Sequence, residues 1–157
     1  MKMIKELIRD YDFFKGLTPE YQELVAGCGK NVRFNPNEFL FREGETANQF
    51  FIIRHGRVSL DIHMPGHRSV TMQTVDQGEV LGWAWLFEPH QWHFDARALI
   101  LTRAVVFDGQ CLLDKCEADA EFGYDMMKRF AHIIIQRLQA ARLQNLDMYG
   151  LRKRGEL

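Results

Sequence analysis

The sequence is poor in cysteine and has no long hydrophobic segment. Its three cysteines, Cys28, Cys111 and Cys116, are too few and too scattered for a disulfide framework, so a reduced, cytoplasmic protein is predicted. No apolar run approaches the roughly 20 residues that a membrane-spanning helix needs. Charged side chains interrupt residues 1–14, and no small-residue cleavage site follows them, so no signal peptide is predicted.

The sequence also lacks an excess of charge of one sign. Twenty Lys and Arg residues stand against 21 Asp and Glu residues, for a formal net charge of −1. No global basic field therefore attracts nucleic acid or an anionic membrane. The length of 157 residues suits a single domain over residues 1–157 with one sizeable core.

Catalytic and metal-binding motifs are missing as well. No Ser/His/Asp or Cys/His pattern occurs at a known spacing, so no catalytic residue and no enzymatic activity are predicted. Cys111 and Cys116 do not form a CxxC motif, and three thiols are fewer than the about four that hold an iron–sulfur cluster. No metal site is predicted.

What is present falls into three parts along the chain. Residues 1–30 are predicted to be helical, and Thr18-Pro19-Glu20 is a good helix start, with a capping side chain, a first-turn proline and an acid near the positive end of the helix dipole. Residues 31–108 are predicted to be strands, and residues 110–149 are again helical. A frayed tail is predicted over residues 150–157, after Gly150 ends the last helix.

Alternating and continuous apolar runs define the strands. Residues 58–64 and 69–73 each alternate between apolar and polar side chains around a Pro-Gly turn, which predicts a hairpin. Residues 50–53 form a short continuous apolar run, which predicts a strand that is covered on both faces. Glycines recur between these runs, as is typical of many short strands in an antiparallel barrel or sandwich.

The last helix is predicted to have more than one apolar face, because Ile133, Ile134 and Ile135 are consecutive. One face can cover the strands and another can pack against a second helix, so we expect a homodimer; an ordinary packing helix is the alternative. Positions at three- and four-residue spacing make up the predicted seam: Phe122, Met126, Phe130, Ile133, Ile134, Arg137, Leu138, Ala141 and Asn145.

The order of these parts and four motifs resemble the cyclic-nucleotide-binding domain of the catabolite activator protein (Crp/Fnr) family. The motifs are Phe14–Glu20, Asn35–Glu45 with Asn37 where the family prefers glycine, Phe51–Val58, and the start of the phosphate-binding cassette at Gly78–Gly82. The resemblance covers residues 12–149. It implies a mainly β fold with flanking α-helices: an antiparallel β-roll or jelly-roll (cupin-like) barrel with N-terminal helices and one long C-terminal helix.

The cassette departs from the family within LGWAWLFEPHQWHFDARA, residues 81–98, which holds all three tryptophans. In that family a Glu directly after the glycine binds the ribose, and an Arg about ten residues later pairs with the cyclic phosphate. Trp83 stands at the Glu position, and Trp92 or His93 stands at the Arg position. Arg97 resembles a later family Arg. The cassette candidates for ligand binding are Gly82, Trp83, Ala84, Trp85, Trp92, His93, Phe94 and Asp95.

These departures predict weak or absent binding of cyclic AMP. Each charge-assisted hydrogen bond to a buried ligand is worth about 1.5–3 kcal/mol, and two such bonds are missing. The indoles either fill the pocket or form an aromatic cage for another ligand. His93 lies near Asp95 in the sequence. Either its imidazole is protonated and binds an anionic ligand, or it is a surface histidine beside a surface acid.

The resulting hypothesis is a non-catalytic ligand-sensing or regulatory module with an unidentified small-molecule effector and a protein partner. A binding-dead structural or interaction module is the second hypothesis, and the sensor half of a transcriptional regulator is the third. No helix-turn-helix follows the long helix, so no DNA binding by this chain alone is expected. No cofactor is predicted beyond the cyclic nucleotide of the family. Haem-containing relatives use an axial histidine, but nothing singles out one of His55, His63, His67, His90, His93 and His132.

Overall fold

The computed structural model describes residues 3–66 and 68–153, with side chains described as far as Gln144. The helices are α1 (Ile4–Ile8), α2 (Pro19–Ala26), α3 (Gly109–Ala118) and α4 (Ala120–Lys153), and short 3₁₀ turns span Asp12–Phe14 and Ala84–Leu86. The strands are β1 (Gly29–Phe34), β2 (Phe39–Phe41), β3 (Gln49–His55), β4 (Arg57–His63), β5 (Ser69–Asp76), β6 (Val80–Leu81), β7 (Asp95–Ala98) and β8 (Thr102–Asp108). The predicted mainly β fold with flanking helices and a long C-terminal helix is confirmed.

Two antiparallel four-stranded sheets form the roll. Their strand orders are β1-β8-β3-β6 and β2-β7-β4-β5. The predicted hairpin is confirmed, because β4 pairs with β5 in a register that places Val58 opposite Val75 and Ile62 opposite Val70. Both sheets present an apolar face to the space between them, as two packed sheets require.

Strand β3 separates two apolar cores. Phe51 and Ile53 point into the roll interior, whereas Phe50 and Ile52 point outward into a cluster that the helices cover. All four side chains are buried, so the predicted coverage of both faces is confirmed. Because each fully buried large apolar side chain contributes about 1.5–3 kcal/mol, this strand links the stability of the roll to that of the helical layer.

Side-chain caps fix the helix starts. Thr18 Oγ1 accepts a hydrogen bond from the amide of Tyr21 at 3.2 Å, with Pro19 in the first turn, as predicted. Asp108 caps α3 through the amide of Cys111 at 2.8 Å, and Asp119 Oδ1 accepts from the amide of Phe122 at 3.1 Å where α4 begins. These side chains satisfy amides that have no partner within the helix.

Two predictions of detail were wrong. Helix α4 continues through Gly150 to Lys153, so Gly150 does not end it. A glycine inside a helix costs only about 1 kcal/mol relative to alanine, so its presence alone does not stop the helix. The cysteines also do not all stay unpaired: Cys28 and Cys111 form a disulfide with their Cα atoms 5.7 Å apart, and Cys116 is free.

The disulfide joins the chain just after α2 to the first turn of α3. Both helices pack on the cluster outside the roll, which brings the two cysteines together across a sequence separation of 83 residues. The cytoplasmic location, which rested on unpaired cysteines, stays a prediction. No helix within the described residues is long and apolar enough to cross a membrane.

Candidate functional site

The tryptophan segment starts at β6, turns through the 3₁₀ turn at Ala84–Leu86 and ends in β7. Within it the indole of Trp92 lies in the roll interior. It is 4% exposed and stacks on the ring of Phe41, with ring centroids 3.6 Å apart and an interplanar angle of 11°. Phe94, half-buried, packs against the same Phe41 ring at 5.7 Å. Aromatic side chains therefore occupy the space that the roll encloses.

Gly82 is required where the cassette begins. Its φ of +102° lies in the left-handed region, which side chains disfavour. A Cβ atom at Gly82 would lie 2.8 Å from Cη2 of Trp92. The backbone at Gly82 and the Trp92 indole thus fit together only because position 82 has no side chain.

Trp85 points the other way, into the cluster between the roll and the helices. It is 2% exposed, its Nε1 donates to the Gly82 carbonyl at 3.2 Å, and it packs against Phe50 and Phe130 with centroid distances of 5.4 and 5.2 Å. The structure therefore does not bring Trp85 and Trp92 to one ligand pocket, as an aromatic cage of the three indoles would need. They belong to different cores.

Trp83, at the position of the family Glu, is half-buried at the edge of the roll beneath α4. The guanidinium carbon of Arg137 lies 5.1 Å from the centroid of its ring, within the range of a cation–π contact. Ala84, next in the chain, packs against the roll interior. The first turn of the cassette thus contacts both the roll and the last helix.

Asp95 stabilises the neighbouring loop. Its buried carboxylate accepts a hydrogen bond from the amide of Glu43 at 2.7 Å and lies 3.8 Å from Nε of Arg42. His93 is exposed, and no hydrogen bond or ion pair among the described residues joins it to Asp95. The structure therefore leaves His93 as an exposed side chain, and Asp95 orders the loop after β2.

Main-chain hydrogen bonds fix the cassette loop to the β2–β3 connection. The Trp92 amide donates to the Glu45 carbonyl at 3.1 Å, and the Trp92 carbonyl accepts from the Gly44 amide at 2.9 Å. The His90 carbonyl accepts from the Ala47 amide at 2.7 Å. Trp92 is thus held by its backbone as well as by its ring.

Arg97 belongs to a network on the outer face of the second sheet. It donates through Nη1 to Asn37 Oδ1 at 2.9 Å and lies 3.6 Å through Nε from the buried carboxylate of Asp61. Asn37 has a φ of +73°, and asparagine tolerates this left-handed conformation better than most residues, which explains how it replaces the glycine of the family motif. The network leaves Arg97 on the far side of the sheet from Trp92.

Helix α4 has two different faces. Phe122, Met126 and Phe130 are buried in the outer core and Ile133 packs against it, so these predicted seam residues contact the chain's own roll. Arg137 contacts Trp83 and the carbonyl of Val80, so it also lies on the face of α4 that covers the roll and not on the predicted seam. Their assignment to a dimer surface was wrong, because they cover the domain itself.

The remaining apolar face of α4 is open. Leu138 is 49% exposed and Ile134 is half-exposed, as is Ala141. Tyr124, Met127 and Ile135, which were not in the predicted seam, are exposed beside them. The side chain of Asn145 lies outside the described residues.

The described residues offer no metal centre. No group of three or more His, Cys, Asp or Glu side chains among them is placed to hold an ion. His55, His63 and His132 are exposed, His90 bonds through Nδ1 to the Trp85 carbonyl at 3.1 Å, and His67 lies outside the described residues.

Residues 31–119, more than half of the chain, match the cyclic nucleotide-binding domain family. The chain belongs to this family. No curated protein matches the sequence.

Solved structures of the family share the fold. A proposed cyclic nucleotide-binding protein from Geobacter metallireducens GS-15 has 26% identity and a TM-score of 0.78, over 88% of this chain and 99% of that one. A cyclic nucleotide-binding domain from Methylobacillus flagellatus KT has 16% identity and a TM-score of 0.80, over 93% and 82%. The catabolite activator protein of Thermus thermophilus has 20% identity and a TM-score of 0.70, over 88% and 63%.

Proposed function

We propose that this chain is a non-catalytic regulatory module of the cyclic nucleotide-binding domain family whose cassette does not bind cyclic nucleotide in the usual way. The position of the Trp92 indole inside the roll carries the proposal. A ligand in that space has to displace a side chain that is 4% exposed and stacked on Phe41. Removing a buried tryptophan from a core costs about 3–5 kcal/mol, which the ligand would have to offset.

Two further observations support the loss of cyclic nucleotide binding. Trp83, rather than a carboxylate, follows Gly82, so no acceptor for a ribose hydroxyl stands there. Arg97, the one arginine in residues 81–98, is engaged elsewhere, because it contacts Asn37 and Asp61. Arg42, which lies beside the cassette residue Asp95, is 3.8 Å from that carboxylate. Of the two roles considered for the indoles, these contacts favour filling of the pocket over an aromatic cage.

The test is isothermal titration calorimetry with cyclic AMP and cyclic GMP. We expect no binding tighter than about 10 μM, which corresponds to about −7 kcal/mol. A matched pair of variants, Trp83→Glu and Trp83→Phe, separates the missing carboxylate from the filled roll. If Trp92 excludes the ligand, neither variant gains affinity; tight binding by the wild-type protein would overturn the proposal.

The proposed output surface is the open face of α4. Its positions follow the a and d spacing of a seven-residue repeat, which is the pattern of two helices packed along a seam. They are Tyr124, Met127, Ala131, Ile134, Leu138 and Ala141. We propose that a homodimer forms here, while the opposite face of α4 stays on the roll.

Light scattering coupled to size-exclusion chromatography tests the dimer. Leu138→Glu places a charge in the seam and is expected to give a monomer, because an unpaired charge in an apolar interface is unfavourable. Gln139→Glu adds the same charge at an exposed position beside the seam and is the control. A wild-type monomer at high concentration, or equal effects of both variants, would contradict the seam.

A further inference from the structure

A groove of about 740 Å³ runs between α4 and the edge of the roll, away from the Trp92 interior. Gln73, Thr74 and residues 78–80 form one wall, and side chains of α4 form the other. Two amides already bridge the walls: Gln73 Nε2 donates to the Arg137 carbonyl at 3.4 Å, and Gln144 Nε2 donates to the Met72 carbonyl at 3.2 Å.

Arg137 is the unusual group in this groove. Its Nη2 donates to the Val80 carbonyl, its guanidinium lies over the Trp83 ring, and its Nη1 is buried without a hydrogen-bond partner. No ion pair among the described residues includes it. A buried cation without an anionic partner is unfavourable. Consistent with this, burial lowers the pKa of Arg137, and the negative charge of Glu79 only opposes that effect.

Three acidic side chains line the groove, Asp12, Glu79 and Asp125, and among the described residues none of them forms an ion pair with Arg137; Asp12 is exposed. Asp125 pairs with Arg129 at 3.0 Å, and Arg129 also donates to two main-chain carbonyls. Glu79 is exposed, and its Oε1 accepts from the amide of Asp76 at 3.1 Å. The guanidinium therefore keeps donor capacity that the chain itself does not use.

Further donors line the same wall. Lys128, His132 and Gln136 recur at four-residue spacing on α4, so they lie along one stripe of the helix beside Arg137. All three are exposed, and they extend the donor surface from the buried guanidinium toward solvent. A ligand with an oxyanion at one end fits this order of groups, because guanidinium pairs well with carboxylate and phosphate oxygens.

We propose that this groove binds a small organic oxyanion, a carboxylate or a phosphate monoester, with Arg137 as its anchor. The ligand would contact α4 and the β5–β6 edge together, and so stabilise the helix on the roll. The inference goes beyond the proposed function, because it requires neither cyclic nucleotide nor an open cassette.

Thermal unfolding in sodium phosphate, in sodium acetate and in sodium chloride at equal ionic strength and pH tests the site. We expect phosphate, acetate or both to stabilise the folded protein in a saturable way. Comparison of the phosphate and acetate titrations identifies the preferred oxyanion. At ten times the dissociation constant, the ratio of folded to unfolded protein rises about 11-fold. Saturable quenching or enhancement of tryptophan fluorescence in the wild-type protein is expected at the same concentrations, because Trp83 lies beneath Arg137.

Arg137→Gln is expected to abolish the saturable response, and Arg137→Lys is expected to weaken it. The control, Arg142→Gln, removes an exposed arginine of the same helix and should leave the response intact. General stabilisation by kosmotropic salt grows without saturation and persists in Arg137→Gln. Equal, unsaturated responses in the three salts, or the same response in Arg137→Gln, would overturn the site. If Arg137→Gln does not fold, Arg137→Lys and the wild-type fluorescence titration decide. Failure here leaves the calorimetric test with cyclic AMP unaffected, so the two proposals fail separately.

Discussion

Replacing Trp92 with alanine is expected to destabilise the protein strongly and to open a cavity that binds indole. The side chain is 4% exposed, stacks on Phe41 at 3.6 Å and lies against Gly82. Truncation of a buried tryptophan costs about 3–5 kcal/mol. The whole free energy of unfolding of a native domain is about 5–15 kcal/mol, so a large fraction would be lost.

Urea unfolding and thermal melting measure this loss. For a domain of this size each kcal/mol shifts the melting temperature by about 2–4 °C, so a fall of roughly 6–20 °C is expected. Apolar cavities of this kind stay dry and take up apolar ligands of matching shape. Indole at ten times its dissociation constant should therefore restore about 1.4 kcal/mol in Trp92→Ala and nothing in the wild-type protein.

Phe87→Ala is the matched control, because this aromatic residue of the same segment is 60% exposed. It should cost less than about 0.5 kcal/mol and show no response to indole. A loss of less than about 1 kcal/mol in Trp92→Ala, with no effect of indole, would refute the view that this side chain fills the roll.

Three other substitutions, two of them with a control variant, test single features of the fold by urea unfolding. Gly82→Ala is expected to cost about 1–3 kcal/mol, since it combines a φ of +102° with a contact to Trp92 at 2.8 Å; equal stability would contradict that geometry. Cys28→Ser should lower the free energy of unfolding by about 4.5 kcal/mol, by the loop-entropy relation, and make the stability insensitive to reductant. The control, Cys116→Ser, should keep the wild-type response to dithiothreitol. A reductant effect that survives in Cys28→Ser would exclude the pairing. Thr18→Ala should lose about 1 kcal/mol by removing the bond to the Tyr21 amide, and Thr18→Ser, which keeps a hydroxyl, should lose less.

Local patterns in the sequence determined much of the fold. The period-2 alternation at residues 58–64 and 69–73 specified the β4–β5 hairpin, because a strand places successive side chains on opposite faces. The Thr18-Pro19 start specified the first residue of α2, because capping is a contact between near neighbours. The Gly78–Gly82 motif located the start of the cassette, and Gly82 has the positive φ that only a glycine adopts freely.

Tertiary structure decided the directions of the side chains in the candidate site. Trp85 and Trp92 are similar residues in one short segment, yet one lies outside the roll and one inside. The segment between them is a 3₁₀ turn and a loop, so no regular period fixed which face each indole meets. Only the packing of β3 between two cores, and the hydrogen bonds from Trp92 to Glu45 and Gly44, settle their places.

Tertiary structure also decided which face of α4 is buried and which cysteines pair. Three- and four-residue spacing predicted an apolar helix, but Phe122 and Leu138 both satisfy that spacing while facing the roll and solvent respectively. Cys28 and Cys111 are far apart in the sequence, and no local pattern relates them. The sequence by itself therefore determined the type of the main elements and the first residue of α2, since those depend on neighbouring residues, whereas the start of β1 at Gly29 and the division of the C-terminal helical region at Asp119 were not predicted. The tertiary structure alone decided which side chains meet, because such contacts depend on how distant elements pack.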